Sequence, residues 1–296
     1  KEFPTVESFE LPSYDISYGK NLKWSLLLKT ITIIRAVKKE QEIIQSYIDN
    51  TKNIAGIISD NRFGCYSKQL PSVYMTHQLN VLSGFLTPIL SYFHQQIIRK
   101  YDECWIPDEE NSLFSGKLSR SSKNLHQKYI GVLSRFKKQE LPQEIDVLIL
   151  LSGPEPNRTQ LEDKLKEIFK TSNKRVCLIQ GKVEETQKIT QLHQLKIVNF
   201  MLSDELEHTI NSSKIIICRA GYSSILDLVS LNKEALLIPT KYQNEQEYLA
   251  KYLQEKGVFS FIEEKDIDKK IVNISIKPSV TGFKKQEFNT DLFYLF

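Results

Sequence analysis

KIIICRAGYSSILDLVSL, residues 214–231, is the stretch whose reading decides the fold. An apolar run over 214–218 reads as a buried parallel strand, a glycine-containing turn follows, and a helix over 223–231 opens on two serines. Upstream, residues 146–151 (DVLILL) form a similar run that stops at Ser152, Gly153 and Pro154. A helix follows over 159–170, with Leu161, Leu165, Ile168 and Phe169 on one face. Strands are predicted over 175–180 and 196–201, then a helix over 203–211 with Ser203 capping its first turn. Downstream lie a strand over 235–238 closed by Pro239 and a helix over 245–255 ended by Gly257. Strictly alternating strands and helices, joined by right-handed crossovers, require a mostly parallel sheet covered on both faces. This half is therefore an α/β, Rossmann-like domain.

The first half reads as a second domain of the same kind. A long amphipathic helix covers 22–48, with Leu22, Leu26, Ile33, Val37, Ile44 and Ile48 on its stripe. Strands are expected over 54–58, 73–75 and 103–106, and a helix over 84–99. The chain opens on Lys1 rather than Met, and this half starts with a helix instead of a strand, so we expect a first β-α unit upstream. The polar, serine-rich and basic residues 111–128 read as a connection, and the hinge is expected within 131–144. The expected division is 1–135, 136–281, and an apolar tail over 282–296 that packs back on the first domain as a helix.

Composition excludes several classes. Of 296 residues, 41% are hydrophobic and 26% charged, which is ordinary globular content. Forty Lys and Arg against 36 Asp and Glu leave a net charge of +4, too slight to argue for a nucleic-acid partner. No apolar run approaches the ~20 residues of a membrane span. Cys65, Cys104, Cys177 and Cys218 are widely spaced with no CxxC pair, a pattern of reduced thiols in a cytoplasmic protein.

The residues that carry chemistry cluster at strand ends. At the turn after 214–218, Arg219, Ala220 and Gly221 precede Ser223 and Ser224, so backbone N–H groups, a helix N-terminus and two hydroxyls point at one place. That suits a phosphate, and an ordinary capped helix explains the same residues equally well. Asp227, one turn on, suits a ribose hydroxyl or a simple dipole contact. Gln243, Asn244, Gln246 and Glu247 open the next helix and suit sugar hydroxyls or a solvated loop, and Gly153 offers a close approach to phosphate at the same sheet edge. In the first half, Asp60 and His77 stand at consecutive strand ends, where either suits a general base. Asn61, Arg62, Gln78 and Asn80 flank them, while His94, His126, His193 and His208 read as surface residues. No Asp-x-Asp stands beside a phosphate loop, so no metal is expected, with helix N-termini and Arg219 offsetting charge instead. Residues 84–100 carry Phe85, Leu86, Ile89, Leu90, Phe93 and Ile97 before Arg99 and Lys100, a pattern shared by a core helix and an interfacial membrane helix.

Residues 217–258 resemble the donor-binding segment of two-domain GT-B glycosyltransferases, in particular the lipid II N-acetylglucosaminyltransferase and diacylglycerol glycosyltransferase group with its family 28-like C-terminal domain. That group reads Cys-Arg-Ser-Gly, an acidic residue one turn on, a strand ended by Pro and a Gln-containing loop. The resemblance implies Gly221, Ser223 and Ser224 at a diphosphate, Asp227 in place of a ribose-binding glutamate, and Gln246 and Glu247 where two glutamines contact the sugar. His77, Asn80 and Gly84 resemble the group's His-Glu-Gln-Asn…Gly loop, while its glycine-rich first loop is not present. It implies an inverting, metal-independent transfer from a UDP-sugar co-substrate, with no other cofactor. The acceptor would be lipid-linked or an envelope glycan, with the enzyme in the cytoplasm at the inner membrane face. A nucleotide-sugar hydrolase or epimerase, or a non-catalytic nucleotide-sugar binding protein, stays open beside it.

Overall fold

The structure, a computed structural model, describes residues 5–14, 22–120, 125–182, 184–273 and 289–296. Two compact units form, one running to Gly131 and taking in residues 289–296, the other starting at Val132.

The first unit holds α1 (Leu22–Asn50), β1 (Ile57–Asp60), β2 (Ser72–Met75), α2 (Thr87–Ile98), β3 (Glu103–Ile106) and β4 (Gln127–Tyr129). Its four strands are parallel, in the order β1-β2-β3-β4, with Asp60 opposite Met75 and Cys104 opposite Gln127. The period of two sorts the side chains onto the faces. Tyr74, Cys104 and Ile106 join Leu79, Ile98 and Tyr101 in one core cluster, while Val73 and Trp105 join Leu292 in another. Leu292 belongs to a short 3-10 helix, Thr290–Leu295, and Phe293 and Phe296 each set a ring edge-on to Trp105 with centroids 6.1 Å apart. The tail residues 282–288 lie outside the described residues.

Two readings of this unit are corrected. Residues 111–128 are not an open connection. Asp108 is wholly buried and receives the amides of Phe114 and Ser115 (3.1 and 2.8 Å) and the Ser115 hydroxyl (2.5 Å), while Phe114 and Leu118 fill the interior beside it. The serines satisfy a buried carboxylate, so a composition that suggests solvent serves the core. Gln127–Tyr129 then closes the sheet as β4. The strand expected over 54–58 starts at Ile57 and ends on Asp60.

The second unit contains β5 (Ile145–Leu150), α3 (Asn157–Phe169), β6 (Val176–Ile179), β7 (Ile189–Leu192), β8 (Leu195–Val198), α4 (Ser203–Asn211), β9 (Ser213–Cys218), α5 (Tyr222–Ser230), β10 (Ala235–Leu237), α6 (Asn244–Glu255) and β11 (Ser260–Phe261). The strand order is β11-β10-β9-β5-β6-β8-β7, parallel except for the β7–β8 hairpin. All four β7 residues are exposed, so no buried face marks that strand in the sequence. Val147, Ile149, Leu178, Ile197, Ile217 and Leu236 meet Leu161, Leu165 and Phe169 of α3 in the main core cluster. Leu202, not Ser203, occupies the N-cap of α4. Among the described residues no helix is long and apolar enough to cross a membrane.

Candidate functional site

The chain leaves β5 in two directions. β6 and β8 build the sheet on one side, β9, β10 and β11 on the other, so the connections after β5 and β9 diverge at the carboxyl edge. Such a divergence leaves a crevice, and open α/β sheets bind their ligands there. After β5, Gly153 takes φ +102°, a left-handed conformation that suits glycine, and a Cβ at that position would meet nothing within 4 Å. After β9, Gly221 is the N-cap of α5 in an extended conformation, and a Cβ there would likewise meet nothing within 4 Å.

Charge follows the same geometry. α3 and α5, the helices that follow the two diverging strands, carry no acidic residue in their first turns. By contrast, α4 places Asp204 and Glu205 there, and α6 places Glu245 and Glu247. A helix N-terminus carries about half a positive charge, which a first-turn carboxylate would offset. At α3 the Glu155 carboxylate, paired with Arg158, accepts the Thr159 amide at 3.2 Å, so of the two helices only α5 begins with no carboxylate in its first turn or just before it. Ser223 is exposed and Ser224 half-buried beside it, while Ala220 is buried.

Arg219 is placed differently from the sequence reading. Its side chain is 1% exposed, pairs with Glu264 at 2.7 Å, and donates to the Asn157 carbonyl at 2.9 Å and to Ile238 and Pro239 carbonyls at 3.4 Å. It offers no charge to a ligand; it binds the loops of the carboxyl edge to one another. Gln246 and Glu247 also face inward in part. Gln246 Oε1 accepts the Thr240 amide at 2.9 Å, and Glu247 Oε1 accepts the Tyr242 amide at 2.8 Å, holding the loop in which Tyr242 adopts φ +67°. Gln243 is the N-cap of α6 and Asn244 its first residue. Asp227 is half-buried and accepts the Ser134 hydroxyl at 2.7 Å.

In the first unit, Asp60 ends β1 and His77 follows the adjacent parallel β2, and the charge of His77 acts on Asp60. Desolvation at the strand end lifts the Asp60 carboxyl above its usual range, and His77 partly opposes that. Asn61, at φ +55°, is held by its carbonyl oxygen, which accepts from Tyr74 at 3.0 Å and Thr76 at 3.4 Å. Gln78 donates its amide to Thr76 Oγ1 at 3.1 Å, and Asn80 donates its side-chain amide to the Lys117 carbonyl at 2.9 Å. Arg62 pairs with the fully buried Glu40, donates to the Pro12 carbonyl at 2.5 Å and lies over the Tyr14 ring. It holds the segment before α1 in place.

The helix expected over 84–99 is reversed relative to a core helix. α2 buries Ser91, His94 and Ile98, while Phe85, Ile89, Tyr92 and Phe93 are 55–86% exposed. His94 is therefore not a surface residue: it meets the Tyr74 hydroxyl at 3.2 Å, and burial lowers its pKa to about 4. The periodicity of the helix gives no sign of this, because the partners of its buried polar residues, the Tyr74 hydroxyl for His94 and the Val81 amide for Ser91, lie outside the helix.

Ser134, Glu264 and Glu40 escaped sequence reasoning altogether. Each acts through a partner between 22 and 93 positions away, with no local motif. Among the described residues, no group of three or more His, Cys, Asp or Glu is placed to hold a metal ion.

The chain is similar to known glycosyltransferases in sequence and in fold. Residues 155–290 match the glycosyltransferase family 28 C-terminal domain. The chain is 22% identical over 303 residues to the UDP-N-acetylglucosamine–N-acetylmuramyl-(pentapeptide) pyrophosphoryl-undecaprenol N-acetylglucosamine transferase of a Sulfurihydrogenibium species, covering 99% of this chain and 79% of the relative. The protein of the same name from Caldanaerobacter subterraneus is 23% identical over 292 residues, 91% of this chain and 76% of the relative. Among solved structures, the glycotransferase of kitacinnamycin superposes with a TM-score of 0.58 at 10% identity, over 85% of this chain and 74% of that one.

Proposed function

We propose that this glycosyltransferase, of GT-B fold and with a family 28 C-terminal domain over residues 155–290, moves N-acetylglucosamine from UDP-N-acetylglucosamine to a lipid-linked envelope glycan. The transfer is inverting and needs no metal. The observation that carries the reading is the start of α5 at the divergence of β5 and β9, with Gly221 at its N-cap and no carboxylate in its first turn.

Ser223, Ser224 and the amides that open α5 hold the diphosphate, with Gly153 leaving room on the other strand's loop. The helix field stabilises the charge that grows on the leaving UDP. Asp227 accepts from the ribose. Gln243, Asn244, Gln246 and Glu247 shape the sugar side. In the first unit, Asp60 takes the proton of the attacking acceptor hydroxyl as that oxygen bonds to the anomeric carbon and UDP departs. His77 sits beside it to steady the charge, with Asn61, Gln78 and Asn80 lining the acceptor side. The outward Phe85, in the 3-10 turn Gly84–Leu86, and Ile89, Tyr92 and Phe93 of α2, followed by Arg99 and Lys100, suit contact with an anionic inner membrane face, where a lipid-linked acceptor resides.

The test pairs binding with turnover. Calorimetry with UDP, GDP, CMP and dTDP is expected to select UDP, and Asp227→Ala to weaken UDP about tenfold or more. Labelled UDP-N-acetylglucosamine should pass its sugar to a polyprenyl-pyrophosphoryl acceptor. Release of free sugar at the same rate without acceptor would make the protein a hydrolase, and no selection of UDP would end the reading.

A further inference from the structure

We propose that Ser134 is a positioning residue for the nucleotide, holding the Asp227 carboxylate in the orientation that receives the ribose. This rests on the donor-site reading above and extends it to a residue outside the family segment. Ser134 lies in the first residues of the second unit, which starts at Val132, and reaches Asp227 across 93 positions of sequence.

The hydroxyl of Ser134 is fixed from both sides. It donates to Asp227 Oδ1 at 2.7 Å and accepts the Phe136 amide at 3.1 Å, so its single proton is directed at the carboxylate. The segment that carries it is itself anchored. Phe136 is 2% exposed, the Lys137 amide donates to Glu207 Oε2 at 2.7 Å, and the Gln139 amide and the Lys137 carbonyl both bond the Asn211 side chain at 3.0 Å. Ser134 is thus a rigid post rather than a mobile loop hydroxyl.

Asp227, in contrast, stands half-buried on α5 with a short side chain whose carboxylate turns about one bond. A carboxylate offers about four lone-pair sites, so the bond from Ser134 leaves acceptor capacity for sugar hydroxyls. What Ser134 supplies is direction: with Oδ1 pinned, the plane of the carboxylate is set before the nucleotide arrives, and the ordering cost is removed from binding. Its effect on the nucleotide runs through Asp227, and must vanish when the ribose lacks the hydroxyl that Asp227 receives.

That dependence gives the experiment. UDP, 2′-deoxy-UDP and 3′-deoxy-UDP are titrated calorimetrically into the full chain, its Ser134→Ala and Ser134→Thr variants, and Asp227→Ala. Wild type is expected to prefer UDP over at least one deoxy analogue by about tenfold. Ser134→Ala should lose most of that preference by weakening UDP alone, Ser134→Thr should keep it, and Asp227→Ala should abolish it. A Ser134→Ala variant that weakens all three nucleotides equally, or that keeps the wild-type preference, overturns the inference and leaves the donor site standing. Wild type that does not bind UDP overturns the donor-site reading, and this inference with it.

Discussion

α2 and α5 each follow a parallel strand, and each carries an apolar stripe, but they use it in opposite ways. α5 buries Tyr222, Ile225, Leu226, Leu228 and Val229 against its unit. α2 buries Ser91, His94 and Ile98 and turns Ile89, Tyr92 and Phe93 to solvent, as the turn before it does with Phe85. Periodicity establishes that a helix has two faces; it does not say which face the protein keeps. In α2 the decision belongs to polar partners: Ser91 Oγ accepts the Val81 amide at 3.0 Å, and His94 meets Tyr74. An apolar stripe left outward is unusual enough to imply a surface that covers it.

Three variants sharpen that contrast. The largest effect is expected in α5, where Ile225 is 0% exposed: Ile225→Ala should cost about 2–5 kcal/mol in urea unfolding. A smaller loss would mean that α5 is not the packed helix described here.

The polar face of α2 should reveal itself through pH. His94 falls from a model-peptide value of 6.5 to about 4 because burial disfavours its charged form. The unfolded chain therefore binds the proton more readily than the folded one. The stability from neutral His94 is whole above the unfolded value and is lost as pH falls through the folded one. Going from about pH 7 to about pH 5 should remove about 2 kcal/mol, and His94→Phe should flatten that slope. An unchanged slope in the variant would mean that another group titrates.

The outward face of α2 should matter least to folding. Phe85→Ser with Phe93→Ser should change stability by no more than about 0.5 kcal/mol while lowering affinity for vesicles of anionic phospholipid about tenfold. Unchanged vesicle binding would remove α2 from any membrane contact.

The sequence carried more of the second unit than of the first, for a physical reason. Buried parallel strands such as 145–150 and 213–218 announce themselves as continuous apolar runs, and α4 is read to its last residue. β4 and β7 do not, since the first is a short polar strand and the second is exposed along its whole length. At the site, local chemistry was legible where backbone supplies it: the turn before α5, Gly153, and the strand-end placement of Asp60 and His77. Side-chain roles set by distant partners were not. Arg219 reads as a ligand cation because arginine after a strand commonly serves anions. Only Glu264, 45 residues on, shows that its charge is already answered.

That buried arginine has a consequence for how the crevice keeps its outline. One guanidinium rivets three separate loops: the start of α3 through the Asn157 carbonyl, the exit of β10 through Ile238 and Pro239, and the residues beyond β11 through Glu264. A lysine offers a single point charge and lacks the planar fork that reaches several acceptors at once. The contour of the carboxyl edge is therefore moulded from behind, by a buried side chain that spends its donors on the protein itself. Changes at Glu264 would reach the start of α3 and the exit of β10 through this one guanidinium.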